Sequence, residues 1–119
     1  MNKLSPTTHG ILDYLIVVLL FISPRLVKME PAGSALSSGL AIVHLVLTLL
    51  TDFRLGIFRV IPLRIHGLVE LIVSVGLCGV AIAFRISGNP VSCYFYLGFS
   101  IILFIIWSFS EYRMRIKAF

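Results

Sequence analysis

The sequence predicts an all-α fold: an integral membrane four-helix bundle built from two tandem helical hairpins, related by a pseudo-two-fold along the membrane normal. Three observations carry this reading. Charged residues are only 13% of the 119 and apolar ones 59%, whereas a soluble domain this small has a large surface and needs many more charges. Apolar runs of about twenty residues recur, the length that crosses a hydrocarbon core about 30 Å thick. The polar residues at the ends of those runs also repeat, hairpin by hairpin. The runs are continuous and do not alternate, which excludes a β-barrel.

The first span is read over residues 5–26. Ser5 suits an N-cap and Pro6 the first helical position. Lys3 precedes an apolar run, but no small-residue cleavage site follows, so the segment is expected to be retained. Pro24 has no amide proton and disfavours helix at Ser23, so it should end or kink the helix there. Residues 27–34, VKMEPAGS, carry loop chemistry. The second span covers residues 35–53 and is apolar except for His44, a few hydroxyls and the terminal Asp52.

Residues 54–61, RLGIFRVI, alternate arginine with bulky apolar residues and are too short to span. They read as an interfacial connector. The third span, residues 62–86, starts at Pro62 and ends before the Ser87-Gly88-Asn89-Pro90 turn signal. The fourth covers residues 91–112 and precedes a basic tail, residues 113–119. Its aromatics, Tyr94, Phe95, Tyr96, Phe99, Phe104, Trp107, Phe109 and Tyr112, are expected to face lipid or the interfacial belts. Small residues at Gly39 and Ala41, and at Gly76, Gly79, Ala81 and Ala83, are expected to pack helix on helix, as are Gly10 and Gly67.

Lys3, Arg54, Arg59, Arg64, Arg113, Arg115 and Lys117 fall on one side of the bilayer, and Arg25, Lys28 and Arg85 on the other. The positive-inside rule then puts both termini in the cytoplasm. Basic residues scattered singly between apolar runs argue against nucleic acid as a partner. Cys78 and Cys93 have no ligand spacing and fall at different depths, so no disulfide is expected.

The repeat is clearest at the ends of each hairpin. His9, Gly10 and Asp13 align with His66, Gly67 and Glu70. Thr51-Asp52-Phe53-Arg54 aligns with Ser110-Glu111-Tyr112-Arg113: small hydroxyl, acid, aromatic, arginine, twice. Two spans per unit mean that both copies enter the membrane in the same direction. The stretch THGILDYL with the later Ser23-Pro24, and LLTDFRLGIFRVIPLRIHGLVELIVSVGL, resemble the SPW-repeat family of small bacterial four-helix membrane proteins. The resemblance covers most of residues 7–80. Arg25 stands where the motif has tryptophan, and the second half has no Ser-Pro in the corresponding place. The resemblance implies the fold and a bacterial inner membrane. It implies no reaction.

Residues four apart share a helix face, so His9 points with Asp13 and His66 with Glu70. With Asp52 and Glu111 ending the other two helices, they form an expected polar layer at the cytoplasmic end, answered by Arg54 and Arg113. Buried ionisable groups in a membrane are costly and usually paired, so the leading expectation is a structural clamp tying each hairpin's ends together. An ion or proton site is the alternative. A metal site with His9, His66, Asp13 and Glu70 as ligands is weaker, because the spacing is not the Glu-x-x-His of carboxylate bundles. His44 is expected about 12 Å deeper than Asp52, bonded to Ser38, Thr48, Ser74 or Ser100, and at a different depth from His9 and His66.

No nucleophile–base pair or phosphate loop stands out, and short loops leave little room for a catalytic surface. The expected function is that of a non-enzymatic multi-pass membrane protein, a small scaffold or accessory subunit in a homo-oligomer or larger membrane complex, with no cofactor. The alternatives are a small transporter or proton/ion-conducting unit, and a metal- or haem-binding redox protein.

Overall fold

The computed structural model describes residues 4–110. Four helices follow in order: α1 (Pro6–Leu26), α2 (Pro31–Leu50), α3 (Leu63–Ile86) and α4 (Pro90–Phe109). All four are long and apolar enough to cross a membrane, and the chain fits a multi-pass membrane protein. Each hairpin packs closely within itself, α1 on α2 and α3 on α4. The core on the bundle axis includes Ile16, Leu20, Ala41, Leu77, Ala81, Tyr96 and Leu103. Outward faces carry exposed side chains such as Leu15, Leu19, Val43, Ile72, Ile101 and Ile105, which lipid accommodates.

The starts of α1 and α2 are capped locally. Ser5 Oγ accepts the Thr8 N–H at 3.2 Å, with Pro6 next in line. Glu30 does the same for the Gly33 N–H at 3.1 Å, ahead of Pro31. This corrects the expected start of the second span at residue 35: Glu30-Pro31 is a cap-and-proline signature lying inside what reads as a loop. The same helix ends at Leu50 instead of 53, because Thr51 turns to extended backbone. Pro62 is the cap of α3, not its first residue.

Pro24 lies inside α1, which ends two residues later at Leu26, the end expected for the first span. A proline inside a helix strips the carbonyl four residues back of its donor. That carbonyl belongs to Leu20, and Ser37 of α2 donates its hydroxyl to it at 2.6 Å. Ser37 is fully buried, so the bond that α1 lacks internally becomes a tie between α1 and α2.

Tyr96 is fully buried rather than lipid-facing, and its hydroxyl donates to the Gly33 carbonyl at 2.5 Å. Ser92 donates to Glu30 nearby, so α4 is tied to the start of α2. Ala41 and Ala81 are core residues, as expected, but Gly39, Gly76 and Gly79 face open space and do not pack helix on helix.

Residues 51–62 fold back under α2. The amides of Ile57 and Phe58 donate to Leu49, and those of Val60 and Ile61 to Leu50, so the helix's last carbonyls are satisfied by its own connector. Ile57, Phe58 and Val60 stay exposed. The two-fold relation shows in matched backbone bonds. Ile61, just before α3, donates to Leu50 at the end of α2 at 2.8 Å. Leu4, just before α1, donates to Phe109 at the end of α4 at 2.6 Å. Each hairpin's entry therefore rests on the other's exit.

Candidate functional site

This cross-docking brings the two histidine turns face to face. The His9 and His66 ring centroids are 5.6 Å apart, with the planes at 78°. Asp13 is fully buried, and His9, His66 and Glu70 are no more than 2% exposed. The two expected clusters are thus one site, shared between the hairpins.

Its contacts cross over. His9 Nε2 lies 2.6 Å from Glu70 Oε1 and 3.2 Å from Asp13 Oδ1. His66 Nε2 lies 2.8 Å from Glu70 Oε1 and 3.0 Å from Asp13 Oδ2. Helical spacing brings each histidine to the acid on its own helix, while the packing of hairpin on hairpin supplies the other acid.

His44 joins the site, contrary to expectation. Its Nε2 is 3.3 Å from Asp13 Oδ1 and its ring 6.2 Å from that of His66. The reason is antiparallel geometry. Asp13 lies two turns into α1 and His44 two turns before the end of α2, so they meet at one level.

Asp52 does not join. Once Thr51 leaves the helix, Asp52 turns outward and is exposed, as is Arg54. Among the described residues no ion pair links them, and the Arg54 carbonyl instead accepts a bond from Arg59 at 2.9 Å. The expected arginine clamp is therefore absent from the first hairpin. Glu111 and Arg113 lie outside the described residues.

The residues that replace the acids are the hydroxyls beside them. His66 Nδ1 is 2.7 Å from Thr51 Oγ1, and His9 Nδ1 is 2.5 Å from Ser110 Oγ. Each hydroxyl also donates to the carbonyl one turn back, Thr51 to Leu47 at 2.6 Å and Ser110 to Ile106 at 2.5 Å. A hydroxyl has one proton. Spent on the carbonyl, it leaves the oxygen only able to accept, so Nδ1 of each imidazole must be the donor. In the neutral ring the lone pair then sits on Nε2, aimed at the carboxylates.

A lone pair set 2.6–2.8 Å from a carboxylate oxygen is repulsive unless positive charge lies between them. Protons on the two nitrogens supply it at these distances, and a metal ion would supply it once the donors opened around it. One donor atom from each of His9, Asp13, His66 and Glu70 can be chosen so that all four lie within 4.8 Å of one another. Bonds of about 2.0–2.2 Å to a tetrahedral ion set its donor atoms about 3.3–3.6 Å apart, so to hold an ion the imidazole–carboxylate pairs must open from the 2.6–3.2 Å they keep here. Two buried carboxylates carry two negative charges, which a divalent cation neutralises.

The site is covered on the connector side. Phe53, itself 3% exposed, lies so close to Gly10 that a Cβ there would run into its ring and into Leu55. Tyr14 donates its hydroxyl to the Leu55 carbonyl at 2.8 Å and holds this segment to α1. Gly10 thus admits the connector rather than a neighbouring helix. Comparisons with protein-family models, with curated proteins and with solved structures find no match to this chain.

Proposed function

We propose that this chain is a membrane protein that holds one divalent transition-metal ion between its two hairpins, with His9, Asp13, His66 and Glu70 as ligands and His44 beside them. The observation that carries this reading is the orientation of the imidazoles. Both Nδ1 atoms are committed to hydroxyls whose protons are already used, which leaves both Nε2 atoms turned to shared carboxylates. Ligating histidines are commonly fixed in this way by a partner on the far ring nitrogen. Mixed imidazole and carboxylate donors suit zinc, iron or manganese better than calcium or magnesium. Beyond Glu70 the axis is lined by Ile16, Leu20, Val73 and Leu77, which favours a resident ion over a conducting path.

A second reading has its own support. Every imidazole–carboxylate contact between His9 and Glu70, or His66 and Asp13, crosses from one hairpin to the other. With protons in place of a metal, the layer is an ionic clamp, and the chain is a small scaffold or accessory subunit. The distribution of basic residues supports placing the layer on the cytoplasmic side of the membrane.

The test is metal content per chain after purification in detergent, supply of zinc, iron or manganese, and gel filtration. One ion per chain is expected for the wild type, with Asp13→Asn and Glu70→Gln losing it while remaining helical. Full retention by both variants refutes the ligand set. A folded wild type that takes up no metal leaves the clamp as the account.

A further inference from the structure

Next to the site the bundle holds a cavity of about 30 Å³ that is open on one side. Eight of its lining residues are four repeat-related pairs when the register of the two hairpins is extended: Ile16 with Val73, Leu20 with Leu77, Leu40 with Phe99, and His44 with Leu103. A space lined by such pairs lies on the pseudo-two-fold axis itself. The other lining residues break the symmetry. Val43 and Leu47 belong to α2, and Val69 and Glu70 to α3, so the cavity reaches outward between α2 and α3 and not on the opposite side. Val43, at that seam, is 59% exposed on the face turned to lipid.

Polar groups meet this chamber only where His44 and Glu70 border it, and everything else there is hydrocarbon. A water needs two to four polar partners, which such a space offers only at one end. Its closed part, about 30 Å³, takes a solute of about diatomic size. Lipid delivers uncharged, apolar solutes and excludes ions.

We propose that this axial chamber is a binding site for a small uncharged diatomic molecule of dioxygen's size, which enters from the lipid between α2 and α3 and reaches the metal beside Glu70 and His44. The inference rests on the metal reading above and adds an exchangeable ligand to it. His44 stands where the second hairpin has Leu103, so the duplicated chamber has one polar wall and one apolar wall.

The test uses nitric oxide as the probe on the iron(II)-loaded protein under anaerobic conditions, read by electron paramagnetic resonance. Wild type is expected to give a nitrosyl signal. Val73→Phe fills the chamber and is expected to keep one iron per chain while binding nitric oxide about tenfold more weakly, since the ligand must now displace a packed side chain. Val43→Trp, on the exposed mouth, cannot disturb the core and is expected to slow association without changing iron content. Ile102→Trp, its repeat counterpart on the lipid face, is expected to do neither. Iron-loaded wild type without a nitrosyl signal overturns the chamber and leaves the metal site standing. Equal binding and equal rates in all three variants overturn the route and the chamber together. Wild type that takes up no iron overturns the metal reading first and this one with it.

Discussion

Replacing Thr51 by valine tests the imidazole argument directly. Valine fits the space of threonine but removes Oγ1, the acceptor 2.7 Å from His66 Nδ1. His66 is 1% exposed, so no water replaces the lost partner. The ring is then free to move its proton to Nε2, the atom that faces the carboxylates. Losing a partner of this kind weakens metal binding by about 10–100-fold, equal to about 1.4–2.7 kcal/mol. The unpaired N–H and the Leu47 carbonyl add a cost of about 1–3 kcal/mol to folding, with or without metal. The assay is chelator competition on the detergent-purified protein, alongside thermal unfolding of the metal-free form. Thr51→Ser keeps the hydroxyl and is expected to restore affinity. Ser108→Ala is the control: Ser108 also donates to the carbonyl one turn back, at 2.8 Å, but is exposed and serves no histidine. If Thr51→Val weakens metal binding no more than Ser108→Ala does, the assignment of the proton to Nδ1 is wrong.

Ser37→Ala leaves the Leu20 carbonyl unanswered and is expected to cost about 1–2 kcal/mol in detergent unfolding. Adding Pro24→Ala returns an amide donor to that carbonyl, so the double variant is expected to recover most of the loss. Additive losses would show that Ser37 is not standing in for the missing amide. Gly10→Ala is expected to push Phe53 and its connector away and to speed proteolysis between residues 51 and 62. Combining it with Phe53→Ala should restore protection. Asp52→Asn and Arg54→Gln are expected to change metal content by nothing measurable, since both residues are exposed and outside the cluster. A loss of metal in either would return them to the site.

Much of this was legible in the sequence. The four spans follow from run length, and His9, Asp13, His66 and Glu70 follow from helical spacing and the repeat. That the two pairs form one site was not legible, because it depends on hairpin packing that no local pattern encodes. In the end-of-hairpin signature the acids stand out, since charge is the stronger signal in a membrane. Its working members are the hydroxyls Thr51 and Ser110. Whether residue 52 stays on the helix face turns on one backbone angle at Thr51, ψ 139°, which composition does not set. His44 carried a readable clue: it sits seven residues before Thr51, two turns along the same face. Its depth had to be compared with Asp13 rather than His9. Pro24 signals only its own missing amide, while the group that answers it, Ser37, lies on another helix.

The reciprocal docking of Leu4 on Phe109 and Ile61 on Leu50 has a consequence for how such a chain arises. Two separate copies of one hairpin would close the same ring, each beginning seated on the other's end. The present chain therefore has the form of a two-subunit assembly joined into one polypeptide by residues 51–62. A true dimer must carry any side chain on both halves or on neither. A single chain can carry histidine at position 44 and leucine at position 103, which gives the ring a front and a back.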